Sequence, residues 1–222
     1  MQSTNTPDLE PAPETLALLL QHLSGRALLA SELEKLLGIV LRVCDAAALA
    51  HRCNLIHGDL EPGNVTLGSH GEVQVTDATV AIGSDHIHPD ATSAHAAPTS
   101  GRDDSHGTAA YMAPEQAWGR RHDFDARTDV YGIGGILYAI LTRTAPHDGG
   151  GASADLALAK AGTVCTPREM CPERELPAAL CRIALRALSA NPSDRHPSVD
   201  VLRCDIEHFL GAAQMPQQVA SA

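Results

Sequence analysis

Ile56-His57-Gly58-Asp59-Leu60-Glu61-Pro62-Gly63-Asn64 puts a carboxylate and an amide on one short loop, and Asp77 follows just after the strand-like run 72–75. Two carboxylates and an amide in that relation can hold a divalent cation and a hydroxyl nucleophile around a phosphate. Immediately downstream, Val65-Thr66-Leu67, a Gly68-Ser69-His70-Gly71 turn and Glu72-Val73-Gln74-Val75-Thr76 read as a β-hairpin. The polar chemistry therefore sits at the two ends of a hairpin.

The rest of the chain reads as helix. An apolar-rich segment spans 16–23. Ser31 with Glu34 has the spacing of a capping box, and Leu33, Leu37, Val40, Cys44 and Ala47 mark an amphipathic helix running to about His51. Residues 83–107 are polar and His-rich, which predicts a mobile loop. Helical patterns return over 126–142, 176–189 and 198–210, with a loop at Gly149-Gly150-Gly151 and a turn at Asn191-Pro192-Ser193. The expected fold class is mainly α with one small β-hairpin (α+β): a tail over 1–14, one domain over 15–211, and a second tail over 212–222.

At 222 residues and 44% hydrophobic content the chain can bury one good core. A net charge of −11 argues against nucleic acid or an anionic membrane as the main partner. The longest apolar run, 130–141, is too short for a membrane span and reads as a buried helix. No basic region precedes an apolar stretch at the N-terminus, which predicts a cytoplasmic protein. Cys44, Cys53, Cys165, Cys171, Cys181 and Cys204 form no metal or disulfide framework, so most are expected to be small buried apolar residues.

The loop resembles the H-R-D-x-K-P-x-N catalytic loop of protein kinases, with Asp77 at the position of the D-F-G aspartate. His57-Gly58-Asp59 alone is equally similar to aminoglycoside and choline phosphotransferases. The tie breaks downstream. Gly107-Thr-Ala-Ala-Tyr-Met-Ala-Pro-Glu-Gln116 resembles the A-P-E segment that closes the kinase activation loop. Arg127-Thr-Asp-Val-Tyr-Gly132 resembles the following helix with its buried aspartate, and Asn191-Pro-Ser-Asp-Arg195 the late motif whose arginine pairs with the glutamate of A-P-E. The sequence is therefore identified as similar to the large lobe of bacterial serine/threonine protein kinases.

That resemblance implies roles. Asp59 would accept the substrate hydroxyl proton, Asn64 and Asp77 would ligate Mg2+, and ATP would be the phosphoryl donor. The plainer alternative for Asp59 and Asn64 is loop capping by side-chain to backbone hydrogen bonds. Thr108 lies where a threonine contacts the region of the catalytic Asp. His57, Glu115, Asp129 and Arg195 would be structural: a packed histidine, a buried Glu115–Arg195 ion pair, and a cap on the loop backbone by Asp129. His86, His88, His95 and His106 are expected to belong to a solvated loop rather than a metal site.

Several positions depart from the family pattern. Glu61 replaces the catalytic-loop lysine. A charge pair at about 4 Å and an effective dielectric near 20 is worth roughly 4 kcal/mol, so the substitution turns attraction for the γ-phosphate into repulsion. Ala78 and Thr79 replace the Phe-Gly of D-F-G, and Gly58 replaces the arginine that anchors a phosphorylated loop. Two lysines stand against fourteen arginines. Lys35 falls in a helix and Lys160 far downstream, so neither supplies the small lobe's strand lysine, and a small lobe is expected to be absent. Three functions follow: a weak or inactive serine/threonine kinase, a pseudokinase that docks a protein partner at an exposed lobe interface, and, remotely, a small-molecule phosphotransferase.

Overall fold

A computed structural model describes residues 14–76, 80–81 and 106–219. Most of the expected mobile loop therefore lies outside the described residues, with His86, His88 and His95. Two short strands and a helix pair open the chain: β1 (Glu14–Thr15), α1 (Leu16–His22), α2 (Ala30–Arg52) and β2 (Leu55–Ile56). The hairpin follows as β3 (Val65–Leu67) and β4 (Val73–Val75), with Val65 opposite Val75 and Leu67 opposite Val73. Its third strand is β1, which pairs Glu14 with Leu67, so Glu14 belongs to the sheet and not to the expected N-terminal tail. The last strand, β5 (Val80–Ala81), returns to pair antiparallel with β2, Ile56 opposite Val80.

The helical body comprises α3 (His106–Tyr111), α4 (Pro114–Ala117), α5 (Ala126–Thr142), α6 (Ala152–Ala161), α7 (Pro167–Met170), α8 (Ala178–Ala187) and α9 (Val199–Val219). At the centre is α5, buried on every side from Thr128 to Thr142 and packed against α2, α8 and α9. Asp125 caps its start by accepting from the Arg127 N–H at 2.7 Å. Two glycines set how closely its neighbours approach. A Cβ on Gly132 would stand 2.8 Å from the Leu60 carbonyl oxygen, and one on Gly134 would stand 2.6 Å from Ala187 Cβ. Gly132 thus lets the polar loop lie directly on the central helix.

Four expectations are corrected. Helix α2 starts one residue before Ser31, and the carboxylate of Glu32, not of Glu34, accepts from the Leu29 N–H at 3.0 Å. The helix register places Glu32 three residues past the cap, which the Ser31–Glu34 spacing misjudges. The C-terminal helix runs to Val219, through most of the expected tail. Helix α3 starts at His106, inside the expected loop. Only Cys44 is fully buried; Cys53, Cys165 and Cys204 are exposed. Val199, Leu202 and Ile206 take the core face of α9, which turns Cys204 outward.

Arg143 ends α5 in the left-handed region at φ 66°. Its Nε and Nη1 are buried with no hydrogen-bond partner among the described residues, and burial, with Arg174 and Arg26 nearby, holds the guanidinium below its usual range. Glycine meets no Cβ penalty there, which is worth about 1–2 kcal/mol, against roughly 0.5–1 kcal/mol of added unfolded-chain entropy. Arg143→Gly is expected to raise stability by about 0.5–1 kcal/mol in urea unfolding. A loss of stability would show that the arginine stem contributes more packing than its head costs.

Candidate active site

The loop between β2 and β3 is held by its backbone. Asp129, buried on α5, accepts from the His57 N–H at 2.9 Å and the Gly58 N–H at 2.8 Å, one on each carboxylate oxygen. His51, at the end of α2, adds a third contact to Asp129, Nε2 to Oδ2 at 2.6 Å. Gly58 adopts φ 74°, a conformation open to glycine at little cost. The His57 ring is buried, its Nδ1 accepting from the Asp59 N–H at 3.2 Å and its Nε2 lying 2.8 Å from the Thr76 carbonyl oxygen. Those contacts fit the tautomer protonated on Nε2, so His57 ties the loop to the end of β4.

Asp59 and Asn64 meet. The Asn64 amide donates from Nδ2 to the Asp59 carbonyl oxygen at 2.8 Å and to Asp59 Oδ2 at 2.9 Å. Pro62, Gly63 and Asn64 form a tight 3-10 turn, closed by the Asn64 N–H on the Glu61 carbonyl, and the Asn64 carbonyl accepts from the Thr76 N–H at 3.0 Å. The Asn64 amide thus caps the loop backbone and meets the Asp59 carboxylate at once. Asp77, Ala78 and Thr79 lie outside the described residues. Thr108 falls on α3.

Glu61 is half-buried, and its Oε2 is enclosed without a hydrogen-bond partner among the described residues. Its carboxyl is pushed up to about 7, first by burial and second by the negative charge of Asp59. An acid raised in this way binds its proton more tightly in the folded state, so ionisation opposes folding. That penalty is absent below the unfolded value near about 4.3 and complete above the folded one. Glu61→Gln is therefore expected to raise the melting temperature at about pH 8 and to leave it unchanged at about pH 4. Equal shifts at both pH values would remove ionisation as the cause.

Elsewhere in the helical body, Glu115 of α4 forms a buried pair with Arg195. Arg195 donates from Nη1 and Nη2 to the two Glu115 carboxylate oxygens at 2.7 and 2.8 Å, with both residues buried. It also donates to the carbonyls of Ser189, Arg127 and Ala190, and its guanidinium lies over the Tyr131 ring. Thr128 donates its hydroxyl to Glu115 Oε1.

Two positioning residues escape the sequence reading. Gln116 donates from Nε2 to the Gly58 carbonyl at 2.6 Å while its Oε1 accepts from the Ala113 N–H. It thus joins α4 to the loop, and a small cavity lined by Asp59, Leu60, Tyr111 and Gln116 lies between them. His51 is the other. No local signal marks either: one follows the A-P-E run and the other is an ordinary polar residue at a helix end. Among the described residues no group of three His, Cys, Asp or Glu side chains is arranged to hold a metal, and no helix is long and apolar enough to cross a membrane.

Comparison with known proteins agrees with this geometry. The family described as Protein kinase domain matches residues 13–205. Serine/threonine-protein kinase PknD of Chlamydia abortus is 31% identical over 193 residues, covering 83% of this chain and 20% of that protein. PknD of Chlamydia trachomatis serovar D is 30% identical, covering 88% of this chain and 22% of its own length. PknD of Protochlamydia amoebophila is 32% identical, with 86% and 20% covered. The chain spans about a fifth of the length of the curated relatives it matches. With its loop, its central helix and its buried glutamate–arginine pair in one architecture, the chain belongs to the protein kinase family, of the bacterial serine/threonine type.

Proposed function

We propose that this chain is a serine/threonine kinase-type domain acting on a protein substrate, with weak phosphoryl transfer on its own. The observation that carries the reading is a Glu61 carboxyl beside Asp59 in a loop otherwise tied as a working site would be. Asp59 would orient the hydroxyl of the protein substrate and take its proton. Asn64 commits its amide nitrogen to Asp59, which leaves Oδ1 as a hard oxygen donor of the kind magnesium takes. Asp77 would supply the second ligand. Mg-ATP, when bound, brings the γ-phosphate and the charge that neutralises it. Glu61 opposes that phosphate once ionised. Lys35 lies in α2 and Lys160 in α6, so neither stands on a strand to offset it.

The same carboxylate favours a second reading, a pseudokinase that docks a protein partner without turnover. Calorimetry with Mg-ATP separates the two, with Asp77→Ala as control. Binding that needs magnesium and Asp77, with a gain in phosphate transfer on Glu61→Lys, supports the kinase reading. No binding at millimolar ATP, and no gain from Glu61→Lys, would leave the docking module.

A further inference from the structure

Away from the loop, Trp118 is the only tryptophan of the chain and stands 55% exposed. It is not loose. Its Nε1–H donates to the Lys160 carbonyl at 3.0 Å, pinning the indole to the end of α6. Two cations attend the ring: the Arg120 guanidinium 5.7 Å from its centroid and Lys160 Nζ at 5.4 Å. Among the described residues neither has a carboxylate within ion-pair distance.

The ring and Arg120 border a groove of about 580 Å3, whose apolar surface includes Pro114, Phe124 and Pro192. That volume lies within the range that holds a ligand or a short peptide segment. Of the carboxylates lining the groove, Glu115 pairs with Arg195 and Asp125 with Arg127, while Asp123 lies beside His122, which carries charge only when protonated. The two cations at the ring, Arg120 and Lys160, therefore outnumber the one carboxylate left without a permanent cation, in a chain of net charge −11. An ordered aromatic anchor loses little entropy on binding, and flanking cations select the charge of what covers it.

We propose that this groove docks an acidic segment of a protein partner, with Trp118 as the apolar anchor and Arg120 and Lys160 receiving the carboxylates. None of the groove residues belongs to the loop 56–64, so the assignment holds whether or not that loop transfers phosphate.

The test uses the whole chain and two synthetic octapeptides, one of alternating Glu and Pro and one of alternating Lys and Pro. Trp118 fluorescence reports occupancy directly, and anisotropy of the labelled peptide gives a second readout. The Glu/Pro peptide is expected to give a saturable signal, weakened by added salt, and the Lys/Pro peptide none. Arg120→Glu combined with Lys160→Glu is expected to raise Kd by about tenfold or more with an unchanged thermal melt. The proposal is overturned by absence of binding in both readouts at about 1 mM peptide, by equal binding of the two peptides, or by insensitivity to the double reversal. Binding of a phosphoserine peptide where the Glu/Pro peptide fails would also overturn it, in favour of a phosphate reader.

Discussion

Arg195→Ala is expected to destabilise the protein more than any other single change considered, and Glu115→Ala to follow close behind. Removing the guanidinium leaves a buried carboxylate with the Thr128 hydroxyl donating to it and strips a donor from the carbonyls of Ser189, Arg127 and Ala190. Removing the carboxylate leaves a buried cation that those three carbonyls still solvate. Breaking a buried pair from one side costs about 3–5 kcal/mol. In a domain of this size that lowers the melting temperature by roughly 10 °C. The order matters as much as the size. Urea unfolding of both variants, with Glu115→Leu/Arg195→Met as the paired control, checks it. If Arg195→Ala costs less than 1 kcal/mol on the order-of-magnitude scale of a surface pair, the buried-pair account fails.

The second large effect lies on α5. Asp129→Ala orphans the His57 and Gly58 amides and the His51 ring contact together. Leaving buried donors unsatisfied costs about 1–3 kcal/mol each before relaxation, and the loop can recover part of this by opening to water. A net loss near 3 kcal/mol is expected, concentrated in the loop. Amide exchange at His57 and Gly58 should then accelerate by about a hundredfold, well beyond that of the α5 core. Asp129→Asn keeps one acceptor oxygen and should fall between the two. Uniform acceleration over the whole fold would mean that Asp129 supports the core in general and not the loop in particular.

Both expectations start from residues that the chain announces before folding. The 3.6-residue apolar period of α2, the buried character of α5, and the hairpin from Val65 to Val75 are local patterns, set by side-chain spacing and turn chemistry. The partners Glu115 and Arg195 and the position of Asp129 came from motif order, which identifies roles without requiring a distance. Boundaries were less legible. The start of α2 depends on which carboxylate reaches back to the Leu29 amide, a choice between Glu32 and Glu34 settled by backbone register.

Other features follow from neighbours remote in the chain. Gln116 reaches Gly58 and His51 reaches Asp129 because α4 and α2 converge on a loop that Gly132 allows to lie against α5. The raised Glu61 carboxyl needs both its enclosure and Asp59 beside it. Trp118 becomes an anchor only through the Lys160 carbonyl. Spacing along a sequence encodes periodic burial and local caps; contact between segments tens of residues apart is a property of packing, and so are the desolvation and like-charge terms that set how a side chain titrates.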